Sequence, residues 1–212
     1  MLLVVGTVWA TGCATTVPER AYYPNPADPE TRALAEALWR TAKAASDDPE
    51  LYSFAMIRSG NVNAYTVEDA TFYFTQGLAR QPANVIDALV AHEVAHELLG
   101  HIGRRRAVAL SLGAGFTVLG IAVPGASLID IVANPLIVRA FTRDQEIAAD
   151  LKAVEILRDM GYETPRRALA DALRAAAKVN GPPRGGWLST EPTLEDRLSR
   201  LEPLEAEKQA AQ

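Results

Sequence analysis

Residues 83–98 set the tightest constraint on what this chain can fold into. Ile86, Leu89, Val90, Ala91, Val94 and Leu98 recur at helical spacing and make an apolar face. The same stretch carries His92, Glu93 and His96. A helix this apolar is expected to be buried, and buried imidazoles and carboxylates are costly unless they are paired or hold a metal. The fold must therefore bring partners to this helix, which Gly100 or Gly103 could terminate.

The chain has three histidines, and all of them lie between positions 92 and 101. His92 and His96 are four residues apart, one turn above each other on one helix face. Two imidazoles so placed can share one Zn²⁺ at roughly 2.0–2.1 Å. Glu93 sits beside them, in place to take a proton from an activated water. Zinc lowers the pKa of water from about 15.7 to about 7, which yields a nucleophile at neutral pH. The Glu accepts that proton and passes it to the leaving amine. By itself, His-Glu-x-x-His fixes only three positions and also fits an exposed helix without metal.

Catalytic zinc wants three protein ligands and an open position. His101 lies five residues beyond His96, where the metzincin pattern would need Gly and His three and six residues on; here those positions are Leu99 and Ile102. His101 reads better as a helix-end or structural residue. Glu146 is the stronger candidate for third ligand, because small and apolar residues follow it in Arg143–Asp150. Asp150, four residues on, shares its face and could accept the N–H of a ligand histidine. A solvated acidic face remains the alternative for both carboxylates.

The other bulk properties are ordinary. The chain has 212 residues, enough for one domain with a real core, and a net charge of -5. Nothing here resembles the basic surface that a nucleic-acid partner needs. Arg104-Arg105-Arg106, the only basic cluster, reads as a solvated helix end or as a contact for anionic lipid. The single cysteine, Cys13, excludes an intrachain disulfide. Apolar or small residues precede Ala10-Thr11-Gly12-Cys13, which resembles a bacterial lipoprotein signal with lipidation at Cys13. The match departs in having Ala10 where Leu is usual and no Lys or Arg ahead of the apolar run. A plain secretory signal, or an apolar anchor with an incidental Cys, is the other reading.

These features predict a signal over 1–12, a tether over 13–28, a folded domain over 29–203 and a flexible tail over 204–212. Asp28 as N-cap and Pro29 in the first turn open a first helix with Leu34, Leu38 and Ala42 buried. Runs at 51–57, 64–67 and 71–74 are rich in β-branched and aromatic residues and predict a small antiparallel sheet. Residues 107–129 carry no charge but are broken by glycines and Pro124. They read as buried small-residue helices, a membrane-dipping hairpin or a span. Helices are expected at 142–160, 165–179 and 194–201.

Four ordered blocks make the chain similar to the HtpX and CAAX prenyl endopeptidase superfamily of gluzincin zinc metallopeptidases, and in particular to its small exported bacterial members. They are Asn63-Ala64-Tyr65 with Gln76-Gly77-Leu78; His92–Glu97 with the trailing His101; Arg143 to Asp150; and Ser189-Thr190-Glu191-Pro192 with Arg197 and Leu198. The resemblance implies one Zn²⁺ per chain held by His92, His96 and Glu146, with Glu93 as catalytic base. It also implies Asp150 behind the ligands, while Arg197 is placed near a site carboxylate by position alone. Asn63, Ala64 and Tyr65 would lie on a sheet edge that pairs with an extended peptide, as strand addition allows. Glu191 stands where the family has His. It could be an acidic fourth ligand that gates activity, a hydrogen-bond acceptor, or solvated.

The expectation is thus an α+β, mostly helical single domain with a zinc helix and a small antiparallel sheet. It would be a metalloendopeptidase acting on unfolded or misassembled envelope proteins, lipid-anchored in the periplasm to the outer membrane, without nucleic acid. The alternative is an envelope chaperone or adaptor that keeps the zinc helix as structure.

Overall fold

The computed structural model describes residues 14–16, 21–67, 70–101, 137–139, 141–181 and 192–206. Cys13, residues 107–129 and Glu191 lie outside them, so the readings placed on those residues do too. Among the described residues no helix is long and apolar enough to cross a membrane.

Capping chemistry sets most helix boundaries. Helix α1 (Pro29–Ala44) starts where the Asp28 side chain accepts from the Glu30 N–H, with Pro29 in the first turn. Its stripe of Leu34, Leu38 and Ala42 is fully buried. The short α2 (Gln76–Ala79) is capped by Thr75, and α3 (Ala83–Leu98) follows. A reciprocal capping box between Thr142 and Gln145 opens α4 (Arg143–Asp159). Helix α5 (Pro165–Asn180) has no side-chain cap of its own at Thr164, and α6 (Leu194–Leu201) opens on a Thr193–Asp196 capping box.

The strands are β1 (Ala14–Thr16), β2 (Ala21–Tyr22), β3 (Ser53–Ile57), β4 (Ala64–Val67), β5 (Thr71–Thr75) and β6 (Ile137–Arg139). β1 pairs with β6, and the other four form a sheet in the order β2-β3-β5-β4. That sheet is mixed, not antiparallel throughout. β4 and β5 pair antiparallel, but β5 lies between β4 and β3 and runs parallel to β3. The chain passes over the place of β5 before filling it, so the hairpin partner of β4 is necessarily parallel to the earlier strand. Part of the expected tether is also strand, because Ala21–Tyr22 pairs with Met56–Ile57. The expected free tail is held at least as far as Glu205. Its carboxylate accepts from the Arg166 and Arg167 N–H groups at 3.1 and 3.0 Å and supplies the cap that α5 lacks.

Helix α3 runs through the middle of the molecule. Every residue from Val85 to Glu97 is buried, so this is a helix covered all round and not one with a single apolar stripe. The sheet packs its inner face, with Phe54, Met56, Phe72 and Phe74, into the same core as α1, α3, α4 and α5. Asp87, buried on α3, accepts from Arg40 of α1 at 2.7 Å and from the Tyr162 hydroxyl at 2.8 Å, tying two other parts of the chain to the central helix.

Candidate metal centre

Three side chains converge on one point beside α3. His92 Nε2 and His96 Nε2 are 3.1 Å apart. Glu146, in the first turn of α4, places Oε2 3.4 Å from His92 Nε2 and Oε1 3.5 Å from His96 Nε2. Donors at zinc distance from a tetrahedral ion stand about 3.3 Å from one another. The observed separations of 3.1–3.5 Å bracket that value, so the three residues fit a metal ion with respect to both geometry and donor chemistry.

Each of the two histidines uses its second nitrogen differently. His92 Nδ1 lies 2.9 Å from Asp150 Oδ1. Asp150 is one turn beyond Glu146 on α4 and is almost wholly buried. Arg197, carried in by α6, donates Nε to Asp150 Oδ2 at 2.8 Å and Nη2 to Oδ1 at 2.5 Å. Its Nη1 stands 3.3 Å from Glu146 Oε2. The Arg197 guanidinium thus braces both carboxylates behind the site.

His96 Nδ1 meets His101 Nδ1 at 2.9 Å. The connection is made by a Schellman turn: the Gly100 N–H donates to Glu97 O at 3.0 Å, the His101 N–H donates to His96 O at 3.1 Å, and Gly100 adopts φ 68°. This turn folds the fifth residue back over the first, which explains the spacing. Phe141 stacks on the His96 ring, with centroids 3.7 Å apart and planes 21° apart. The sequence pattern alone assigns Phe141 no place, and His101 only a general structural one. Gly100 between the two histidines was the available signal for His101.

The catalytic-base candidate Glu93 is buried, and its carboxyl is anchored to the sheet. The Thr66 hydroxyl on β4 lies 2.5 Å from Glu93 Oε2 and 3.0 Å from the Glu93 carbonyl oxygen. Burial pushes the Glu93 carboxyl up, against the opposing pull of His92 and the Thr66 hydrogen bond. Burial and the Arg197 charge oppose a proton on His92, but Asp150 and Glu146 outweigh them and hold it up at about 9. Burial, then His92 and His101, press His96 far down. Burial alone would raise Asp150, but Arg197 and His92 bring it to about 2.

Asn63 precedes β4, and Ala64 and Tyr65 open it; β4 is the last strand of the four-stranded sheet. The Asn63 side chain is already engaged: its Nδ2 donates to the Tyr65 hydroxyl at 3.0 Å and its Oδ1 accepts from Asn180 at 2.9 Å. The Asn180 amide also brackets the Val62 backbone, accepting from its N–H at 2.8 Å and donating to its carbonyl at 3.0 Å. The matching block at Gln76-Gly77-Leu78 seats the same loop. A Cβ on Gly77 would run into the Asn61 and Gly60 carbonyls, while the Gly77 N–H donates to Ser59 O at 2.9 Å.

The sequence model of peptidase family M48 matches residues 27–205, which span every side chain of this centre. The chain belongs to peptidase family M48. Its members are metal-dependent peptidases, and His92, His96 and Glu146 are the residues here that could hold the ion. Comparison with curated proteins finds no match.

Proposed function

We propose that this M48 peptidase is a zinc endopeptidase of the HtpX type, with His92, His96 and Glu146 as ligands and Glu93 as general base. The observation that carries the reading is the set of donor separations, 3.1, 3.4 and 3.5 Å, beside a buried Glu93. Zinc there supplies Lewis acidity, acidifying water and polarising a peptide carbonyl. Glu93 takes the water's proton on its carboxylate and returns it to the leaving amine. Asp150 and His101 hold the outer nitrogens of the two ligand rings, so that each ring presents Nε2 inward. An extended substrate segment lies along the β4 edge, held mainly by main-chain bonds that make little demand on sequence.

That sequence tolerance suits unfolded or misassembled envelope proteins as substrates. The lipoprotein-like segment ending at Cys13 supports export and anchoring, with the enzyme in the periplasm and attached to the outer membrane. Purified protein is expected to carry about one zinc per chain. Glu93→Gln should keep the metal and lose hydrolysis of an unfolded substrate such as casein. Metal-free protein that still cleaves casein would refute the reading. A Glu93→Gln protein that fully replaces wild type in cells would point instead to an adaptor. Cys13→Ala should move the protein from the membrane to the soluble fraction.

A further inference from the structure

The hydroxyl of Thr66 is an unusual neighbour for a catalytic base. It belongs to β4, the strand on which the proposed function lays the substrate, and it reaches across to α3. Thr66 is 4% exposed and is paired in register with Phe72, so it points to the inner face of the sheet. Its Oγ1 lies 2.5 Å from Glu93 Oε2. The strand behind it is fixed at its entry. The Thr75 hydroxyl accepts from the Asn63 N–H at 3.0 Å, and Asn180 brackets Val62 from α5. The hydroxyl is therefore delivered by a strand that cannot slide freely.

We infer that Thr66 is a positioning residue for the peptidase reaction, joining the substrate-bearing edge strand to the base. By holding Oε2 it sets the rotation of the Glu93 carboxylate and leaves Oε1 to receive the proton from water, which then passes to the leaving amine. The strand that orients the peptide and the group that orients the base are the same element. Displacement of the peptide relative to β4 is thus limited together with displacement relative to Glu93. Misplacement of a reacting group by about 1 Å can cost roughly a hundredfold in rate.

The inference rests on the proposed function, and the experiment separates the two. Zinc-loaded wild type, Thr66→Val and Thr66→Ser are compared on a fluorogenic peptide, with zinc content measured for each. Thr66→Val removes the hydroxyl but keeps the shape; its kcat should fall by about tenfold to a hundredfold, with KM within about twofold and zinc unchanged. Thr66→Ser restores the hydroxyl and should recover kcat to within about threefold. In metal-free protein, denaturation of Thr66→Val, Glu93→Ala and the double variant should show non-additive effects, because the two side chains touch. If Thr66→Val does not fold, Thr66→Ala carries the same expectation. Hydrolysis by wild type with an unimpaired Thr66→Val, or with Val and Ser variants equally slow, overturns the positioning role alone. So do additive stabilities. No hydrolysis by zinc-loaded wild type overturns the reading of function instead.

Discussion

His92 and His96 stand one turn apart on the same helix and face the same point, but their outer nitrogens meet different surroundings. Behind His92 is a charged network of Asp150, Arg197 and Glu146, joined by contacts of 2.5–3.3 Å. Behind His96 there is a second imidazole, His101, and the stacked ring of Phe141. The first flank gathers residues from two helices, α4 and α6, and the second is built mostly from the turn that ends α3. A charged flank of this kind is stable only when complete, because a buried ion left without its partner is strongly destabilising. The neutral flank carries no such liability, so its parts can be lost at smaller cost.

The sharpest way to break this comparison is to remove Asp150. Asp150→Ala leaves the Arg197 guanidinium buried without its main partner. Denaturation of the metal-free protein should show a loss of about 3–5 kcal/mol. Competition with a chelator should show zinc binding weakened by about a hundredfold.

Protons distinguish the flanks next. Folding raises His92 from 6.5 to about 9 in the metal-free protein. Its stabilising contribution is therefore full below pH 6.5 and lost as pH rises through 9. Asp150 is moved from 3.8 down to about 2, so its contribution is present above pH 3.8 and lost as pH falls toward 2. A histidine that holds a metal must be neutral, so a metal ion bound here would have to displace the His92 proton, whereas His96 is already neutral. Calorimetry near pH 7.5 in two buffers should find about one proton released from this pair, and zinc affinity should rise about tenfold per pH unit up to pH 9.

The neutral flank gives the smaller effects. His101→Ala should weaken zinc about tenfold by chelator competition, with a stability loss near 1 kcal/mol. Gly100→Ala forces a side chain into φ 68°, at a cost of about 1–2 kcal/mol. Because it only disturbs the turn that presents His101, its loss of zinc affinity should be less than that of His101→Ala. An equal loss of stability in Asp150→Ala and His101→Ala would mean the two flanks do not differ as described.

Much of this architecture was legible in the sequence where the cause is local. Asp28-Pro29, Thr142 with Gln145, and Thr193 mark helix starts because a short polar side chain must satisfy the first free N–H groups. The pairing of His92 with His96 follows from the helical repeat. The parallel alignment of β3 with β5 was not legible, since nothing within β3 or β4 tells which strand will be inserted between them. Asn180 bracketing Val62 was equally hidden, being a contact between residues 118 apart in the chain. His101 fell between the two cases. A spacing of five does not suggest facing side chains on a helix, and only the left-handed turn at Gly100 makes it so.

The brace behind His92 also has a place in time. α3 and α4 bring His92, His96 and Glu146 together, and all of these precede α6 in the chain. Arg197 arrives later on α6, and Glu205, which closes the start of α5, later still. During synthesis the three donors therefore exist as sequence well before the group that sets their orientation. The three candidate donors can gather early, but the centre reaches its braced form only once α6 has been made.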